Sequence, residues 1–313
     1  MRAIVVDGFG GTPRMADMPI PEPEPGDIQI EIKAAGINPF DAAIARGALK
    51  DVVEHQFPLI LGMDGAGVVA AIGPGVEAFQ PGDRVYGQFN RPSAGLGSYG
   101  EYSLAHVDGI VAKMPRGMNF EQAAALPVAT TTGWNMVRAA LVDEGQIVLV
   151  VGATGGVGQA AVQFAAAQGA TVIATATPDA AATMTGLGAT VAVDYTAGSV
   201  PDRVLGMYPD GIDAVIDTVG GQQAKELAQL IKPGGALVSA KGAADPDVLA
   251  QREIRGVNFV NQTSGEQLAE LAELVDGGQV KVLLQHIVPL EEAPAALDRL
   301  VKGGSRGKTV IRI

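Results

Sequence analysis

Between Ile147 and Ala167 the chain reads IVLVVGATGGVGQAAVQFAAA, an apolar run, then Gly152, Gly155, Gly156 and Gly158, then a stretch with helical periodicity. Glycines in this place serve a tight turn, close approach of the backbone to a ligand, or tight packing of helix on strand. The helix that opens at about Val157 aims free N–H groups and its positive dipole end at a phosphate. The chemistry is therefore the holding of a dinucleotide pyrophosphate. Thr154, Gly155, Gly156 and Val157 are the residues placed to do it.

Those residues need a sheet behind them. Ile147 to Val151 are β-branched or Leu without alternation, as expected of a strand buried on both faces of a parallel sheet. Further strand signals fall at 171–176, 190–193, 213–217, 235–240 and 256–260 with helical stretches between several of them, the βαβ pattern of a doubly wound α/β domain. The first third has a different texture, with short strands such as IVVD and the alternating IQIEIKAAG set between Pro- and Gly-rich turns. A helix near Glu266–Asp276, strand-like VKVLLQHIV, the helix EEAPAALDRLVK and a last strand KTVIRI bring that texture back. The expected organisation is a β-rich domain at 1–122, an α/β domain at 123–264, and a return to the first domain at 265–313.

With 313 residues and 47% hydrophobic content, the chain can bury a sizeable core in two domains. It contains no Cys, which removes disulfides, thiolate nucleophiles and Cys metal sites together. A net charge of −12 without a basic cluster argues against nucleic acid as a partner. No apolar stretch approaches the roughly 20 residues that span a bilayer, and Met1 leads straight into the strand-like RAIVV, so a cytoplasmic protein is expected.

Four ordered segments resemble the medium-chain dehydrogenase/reductase superfamily, specifically its zinc-independent quinone oxidoreductase branch. They are AAGINPFDAAIARG (Ala34–Gly47), LGMDGAGVVAAIGPGVEAFQPGDRVYG (Leu61–Gly87), ALPVATTTGW (Ala125–Trp134) and GATGGVGQAAVQFA. The resemblance covers essentially the whole chain. It implies a Rossmann doubly wound parallel sheet inserted into a GroES-like β-rich catalytic domain, with a nicotinamide cofactor in the cleft between them. At the positions where the zinc alcohol dehydrogenases of this superfamily carry their ligands, the chain has Asn38, Met63 beside Asp64, and Val128. His55, His106 and His286 sit in no ligand pattern, so no metal is expected.

The resemblance places Asn38 beside the nicotinamide, where it can donate to a developing oxyanion; as a plain residue before Pro39 it would cap a turn. Thr132 is placed near the nicotinamide ribose, and a helix N-cap would look the same. Asp41 reads as structural. Tyr86 and Tyr99 either reach the cleft or pack as phenols. Val219 in DTVGG, Ala240 and Gly242 in VSAKG, and the segment FVNQTSG follow strand ends where the family runs past the cofactor.

The strand TVIATA ends at Ala176 without the acid that binds ribose hydroxyls in NAD enzymes, so NADP (as NADPH) is the expected cofactor. Thr177 can donate to the 2′-phosphate, and Tyr195 matches a tyrosine that closes this pocket in NADPH-using relatives. The missing positive charge could come from Arg306 or Lys308, although a solvated face explains both as well. Without a metal to acidify an alcohol, the reaction that remains open is hydride transfer to an electrophilic quinone or α,β-unsaturated carbonyl. The alternatives are a non-enzymatic NADPH-binding protein, crystallin-like or a sensor, and a thioester-linked enoyl reductase. A homodimer paired through Gly256–Val260 is expected.

Overall fold

Val148, Leu149, Val150 and Val151 are each no more than 2% exposed, because the strand that carries them is the third of six in a parallel sheet covered on both faces. The computed structural model describes all residues, 1–313. In chain order it runs β1 (Arg2–Val6), β2 (Arg14–Asp17), β3 (Asp27–Gly36), α1 (Pro39–Ala45), β4 (Leu59–Ile60), β5 (Asp64–Ile72), β6 (Arg84–Gln88), β7 (Tyr102–His106), β8 (Val111–Lys113), α2 (Phe120–Ala124) and α3 (Pro127–Ala140). The alternating part follows as β9 (Ile147–Val151), α4 (Gly156–Ala167), β10 (Thr171–Thr175), α5 (Pro178–Gly186), β11 (Val191–Val193), α6 (Val200–Met207), β12 (Ile212–Asp217), α7 (Gly221–Leu227), β13 (Ile231–Ser239), α8 (Pro246–Ala250) and β14 (Arg255–Asn258). The chain closes with α9 (Gly265–Asp276), β15 (Leu284–Pro289), α10 (Ala293–Val301) and β16 (Lys308–Arg312).

Two compact units result. One comprises Met1–Ala129, Thr263–Gly278 and Val282–Ile313; the other comprises Thr130–Gln262 and Gln279–Lys281. The first division falls inside α3.

In the first unit, β3 alternates as the sequence pattern requires, with Ile28, Ile30 and Ile32 buried and Gln29, Glu31 and Lys33 half-buried between them. It pairs antiparallel with β5, β7 and β16 in the sheet β15-β16-β3-β5-β6-β8, and β2-β1-β4 forms a smaller sheet. The register Val310 to Gly36 and Ile311 to Ala35 makes the last strand of the chain part of the first unit's core. The first unit is therefore discontinuous along the chain. The predicted helix EEAPAALDRLVK begins only at Ala293, after a 3-10 turn at Leu290–Glu292, with a proline in its first turn where the missing N–H costs nothing.

The second unit is the Rossmann sheet in the order β11-β10-β9-β12-β13-β14, all strands parallel. The order reverses at β9 and β12, which places the ligand-binding crevice of such a sheet at their carboxyl ends. Gly152 takes φ +71, open to glycine at little cost, and Gly158 lets α4 sit on the turn, since a Cβ there would come 2.2 Å from the Gly152 carbonyl oxygen. No helix in the structure is long and apolar enough to cross a membrane.

Candidate active site

The turn after β9 fits a dinucleotide phosphate. Gly155 is the N-cap of α4 and brings no side-chain acceptor to the first-turn N–H groups, which leaves them for an anion. A Cβ on Gly155 would meet only the Gly152 carbonyl oxygen, at 3.5 Å, so the backbone borders open space. Thr154, Gly155, Gly156 and Val157 are all partly exposed there. The Thr175 hydroxyl fixes the turn by accepting from the Gly152 N–H at 3.0 Å.

Asp217 and Ser239, not singled out by the sequence, hold the neighbouring loops. Asp217 is fully buried at the end of β12, and its Oδ1 accepts from the Val219 and Gly220 N–H groups at 3.0 and 2.8 Å. The Ser239 hydroxyl donates to Asp217 Oδ2 at 2.6 Å and accepts from the Lys241 and Ala243 N–H groups at 3.1 and 3.2 Å. One polar pair thus shapes both the loop that exposes Val219 and the loop of Ala240 and Gly242.

Thr132 lies inside α3, which begins at Pro127, so the N-cap alternative for it is excluded. The helix is anchored by Trp134 stacked on Phe164, centroids 4.8 Å apart. Asn261 Nδ2 donates to the Thr131 hydroxyl at 2.9 Å, which ties the segment after β14 to α3 beside Thr132.

Just after β10, Ala176 is wholly buried and its N–H donates to the Val193 carbonyl. Thr177 is therefore the first residue after β10 whose side chain meets solvent. It is the N-cap of α5, yet its hydroxyl makes no capping bond. Tyr195 follows β11 and is half-exposed.

In the first unit, Asn38, Asp64 and Val128 converge on a buried hydrogen-bonded cluster. Asn38 is the N-cap of α1 and is 3% exposed. Its backbone N–H donates to Asp41 Oδ2 at 2.8 Å, the structural role expected of Asp41. Its side chain also meets two buried charged groups: Nδ2 donates to Asp64 Oδ2 at 2.9 Å, and Oδ1 accepts from Lys308 Nζ at 2.6 Å. Asp64, with no exposed surface, also accepts from the Val128 N–H at 3.1 Å. Tyr99, fully buried, donates its phenol proton to Asp41 Oδ2 at 2.7 Å. Tyr86 is equally buried and donates to the Leu268 carbonyl. Both are packed phenols.

Lys308 corrects the sequence reading. It is 5% exposed, and its ammonium donates to the Ile37 carbonyl at 2.9 Å as well as to Asn38, so it neither lies on a solvated face nor is free to meet a 2′-phosphate. It is the cation among two buried carboxylates, 3.9 Å from Asp64. Burial pushes the Asp64 carboxyl up to about 7 against the opposing pull of the Lys308 charge and the Asn38 amide. Burial likewise raises Asp41 to about 6, opposed by the Tyr99 hydroxyl, and lowers Lys308. Two carboxyls and one ammonium share this space, and a proton held on Asp64 makes the set neutral. The cluster offers no ligand set for a metal, as Asn38 and Asp64 are bonded to each other and Val128 contributes only a backbone N–H.

Two family models match the chain, one described as an alcohol dehydrogenase GroES-like domain over residues 24–116 and one described as a zinc-binding dehydrogenase over 187–311. The second span contains His286 as its single histidine and no Cys. Over 304 residues the chain is 32% identical to a 2-methylene-furan-3-one reductase of Solanum lycopersicum, covering 95% of this chain and 74% of the relative. It is 31% identical to the quinone oxidoreductase of Homo sapiens, covering 99% and 97%. The structure of Escherichia coli quinone oxidoreductase complexed with NADPH superposes over all of both chains with a TM-score of 0.88 at 27% identity.

Proposed function

Because the chain belongs to the medium-chain dehydrogenase/reductase superfamily, among its quinone and enone oxidoreductases, we propose that it is a zinc-independent, NADPH-dependent reductase of quinones or α,β-unsaturated carbonyls. The observation that supports this reading is the buried cluster at Asn38, Asp64 and Val128, where the positions that the resemblance matches to zinc ligands are joined by hydrogen bonds. Oxidation of a plain alcohol needs a device that acidifies the hydroxyl. Reduction of an acceptor that is already electrophilic does not.

Bound NADPH would supply a hydride, two electrons with one proton, to the acceptor. The chain's part is to bind and orient. The turn Thr154–Val157 and the start of α4 would hold the pyrophosphate, Thr177 and Tyr195 would flank the 2′-phosphate, Thr132 would meet the nicotinamide ribose, and Val219, Ala240 and Gly242 would line its path. Asn38 Nδ2 carries two protons, and Asp64 takes one of them. The other is donated to the carbonyl or quinone oxygen as negative charge builds on it. For an enone, hydride joins the β-carbon, the C=C electron pair moves to form the enolate, and water returns a proton to the α-carbon.

The test is NADPH oxidation followed against a panel of quinones and enones, with and without a strong chelator. Turnover that survives chelation supports the reading. Absence of turnover with both acceptor classes refutes it in favour of a non-enzymatic NADPH-binding protein.

A further inference from the structure

The amide of Asn38 has two ends of nearly equal size, and only one of them can stabilise an oxyanion. An N–H attracts negative charge developing on the acceptor; a carbonyl oxygen in the same place repels it. Something must therefore decide which end faces which neighbour. We propose that Lys308 is a positioning residue for the reaction, whose ammonium holds the Asn38 amide by its oxygen, so that Nδ2 is the end left to donate. The proposal rests on the reading above that Asn38 donates to the acceptor oxygen.

The geometry leaves little choice. A lysine ammonium has donors and no acceptor. Lys308 spends one of its protons on the Ile37 carbonyl at 2.9 Å and another on Asn38 Oδ1 at 2.6 Å. Turning the amide over would set its NH2 against the ammonium at that distance and its oxygen against the Asp64 carboxyl, which now accepts from Nδ2 at 2.9 Å. The ammonium, which has no acceptor for an NH2 group, rejects the flip whether or not Asp64 holds a proton, and the side chain cannot swing into solvent because Asn38 is 3% exposed. Asp64 is itself held by the Val128 N–H, so the second wall of the amide's seat is fixed too. A cation on the oxygen also polarises the amide and makes its N–H groups better donors. Lys308 is held by β16, the strand that pairs Val310 with Gly36, which carries the ammonium back to a residue 270 positions earlier. The last strand of the chain thereby sets the chemistry of the first helix's cap.

The test pairs nuclear magnetic resonance with kinetics. In 15N-labelled wild type, the Asn38 side-chain amide, assigned by its loss in Asn38→Ala, should exchange its protons with solvent slowly and show one conformer. In Lys308→Met the exchange should quicken or a second conformer appear. The turnover rate with a quinone or enone should fall about ten- to a hundred-fold while NADPH affinity stays within about twofold, since the loss is one of orientation at the reacting atoms. Lys308→Arg keeps a donor-only cation and should recover part of the rate with the single conformer. Fast exchange in the wild type overturns the proposal even if Lys308→Met does not fold. An unchanged amide in folded Lys308→Met, or an altered amide with undiminished turnover, overturns it as well. Wild type that is inactive with every acceptor refutes the assigned function and with it the catalytic role, and a single slow-exchanging amide in that protein would show that the orientation itself stands.

Discussion

Ser239 donates its hydroxyl proton to Asp217 at 2.6 Å, which links the carboxyl ends of β12 and β13 inside the Rossmann unit. Between them the two side chains satisfy four backbone N–H groups, those of Val219, Gly220, Lys241 and Ala243. The loops that the cofactor would meet are thus built on a buried polar pair rather than on their own residues.

Ser239→Ala removes a donor to Asp217 and an acceptor for two backbone groups. It should destabilise the protein by about 1–3 kcal/mol and weaken NADPH binding. Chemical denaturation and cofactor titration check this, and a variant with wild-type values in both would show that the pair does not shape the loops.

Cofactor choice should respond to residue 177. Thr177 is partly exposed at the N-cap of α5, whereas Ala176 is wholly buried. Thr177→Asp places a residue type favoured at an N-cap and puts a negative charge where the 2′-phosphate is expected, so NADPH affinity should fall by about an order of magnitude with NADH little affected. Titration of both cofactors against wild type and variant reads this directly. Wild type should prefer NADPH.

Stability should fall as pH rises from about 4 to about 7, through the carboxyl of Asp64. The unfolded chain releases that proton near the ordinary carboxylate value, while the folded protein keeps it up to about 7. The folded state therefore binds more protons in this window, and the group's stabilising contribution is present at low pH and lost as pH climbs through the folded value. Asp41, raised to about 6, acts in the same direction. Lys308, lowered by burial, contributes stability at alkaline pH that is lost as pH falls. Asp64→Asn should flatten the decline in denaturation midpoints between pH 4 and 7, and an identical slope in the variant would contradict the assignment.

How much of this is legible in the sequence depends on range. The strands β9, β10 and β12 show themselves because burial on both faces leaves runs rich in β-branched residues, and the pyrophosphate turn because only glycines suit it. Thr132 is ambiguous in TTTGW, since three adjacent threonines all read as possible caps while α3 starts upstream at Pro127. Lys308 is misread because a lysine opening a terminal strand looks solvated. Its burial follows from the pairing of β16 with β3, a contact across most of the chain that no local pattern encodes. Asp217 and Ser239 are hidden for the same reason, each being an ordinary polar residue at the end of an apolar run.

The protein should be a homodimer. β14 is the outer strand of the Rossmann sheet, with Gly256 and Val257 half-buried and Val260 81% exposed just beyond it. An open, apolar edge of this kind is stabilised by pairing with its two-fold mate. Light scattering at micromolar concentration should give twice the mass of the 31.9 kDa chain, and a monomer would contradict the pairing.

The central claim is direct hydride transfer without metal, and isotope tracing tests it most closely. Chelator-treated protein is given NADPH stereospecifically deuterated at the nicotinamide C4, together with an enone, and the product is analysed by mass spectrometry and nuclear magnetic resonance. The account predicts one deuterium at the β-carbon of the saturated ketone and a solvent-derived proton at the α-carbon. Loss of the label to water, or turnover that disappears on chelation and returns with added zinc, would contradict it.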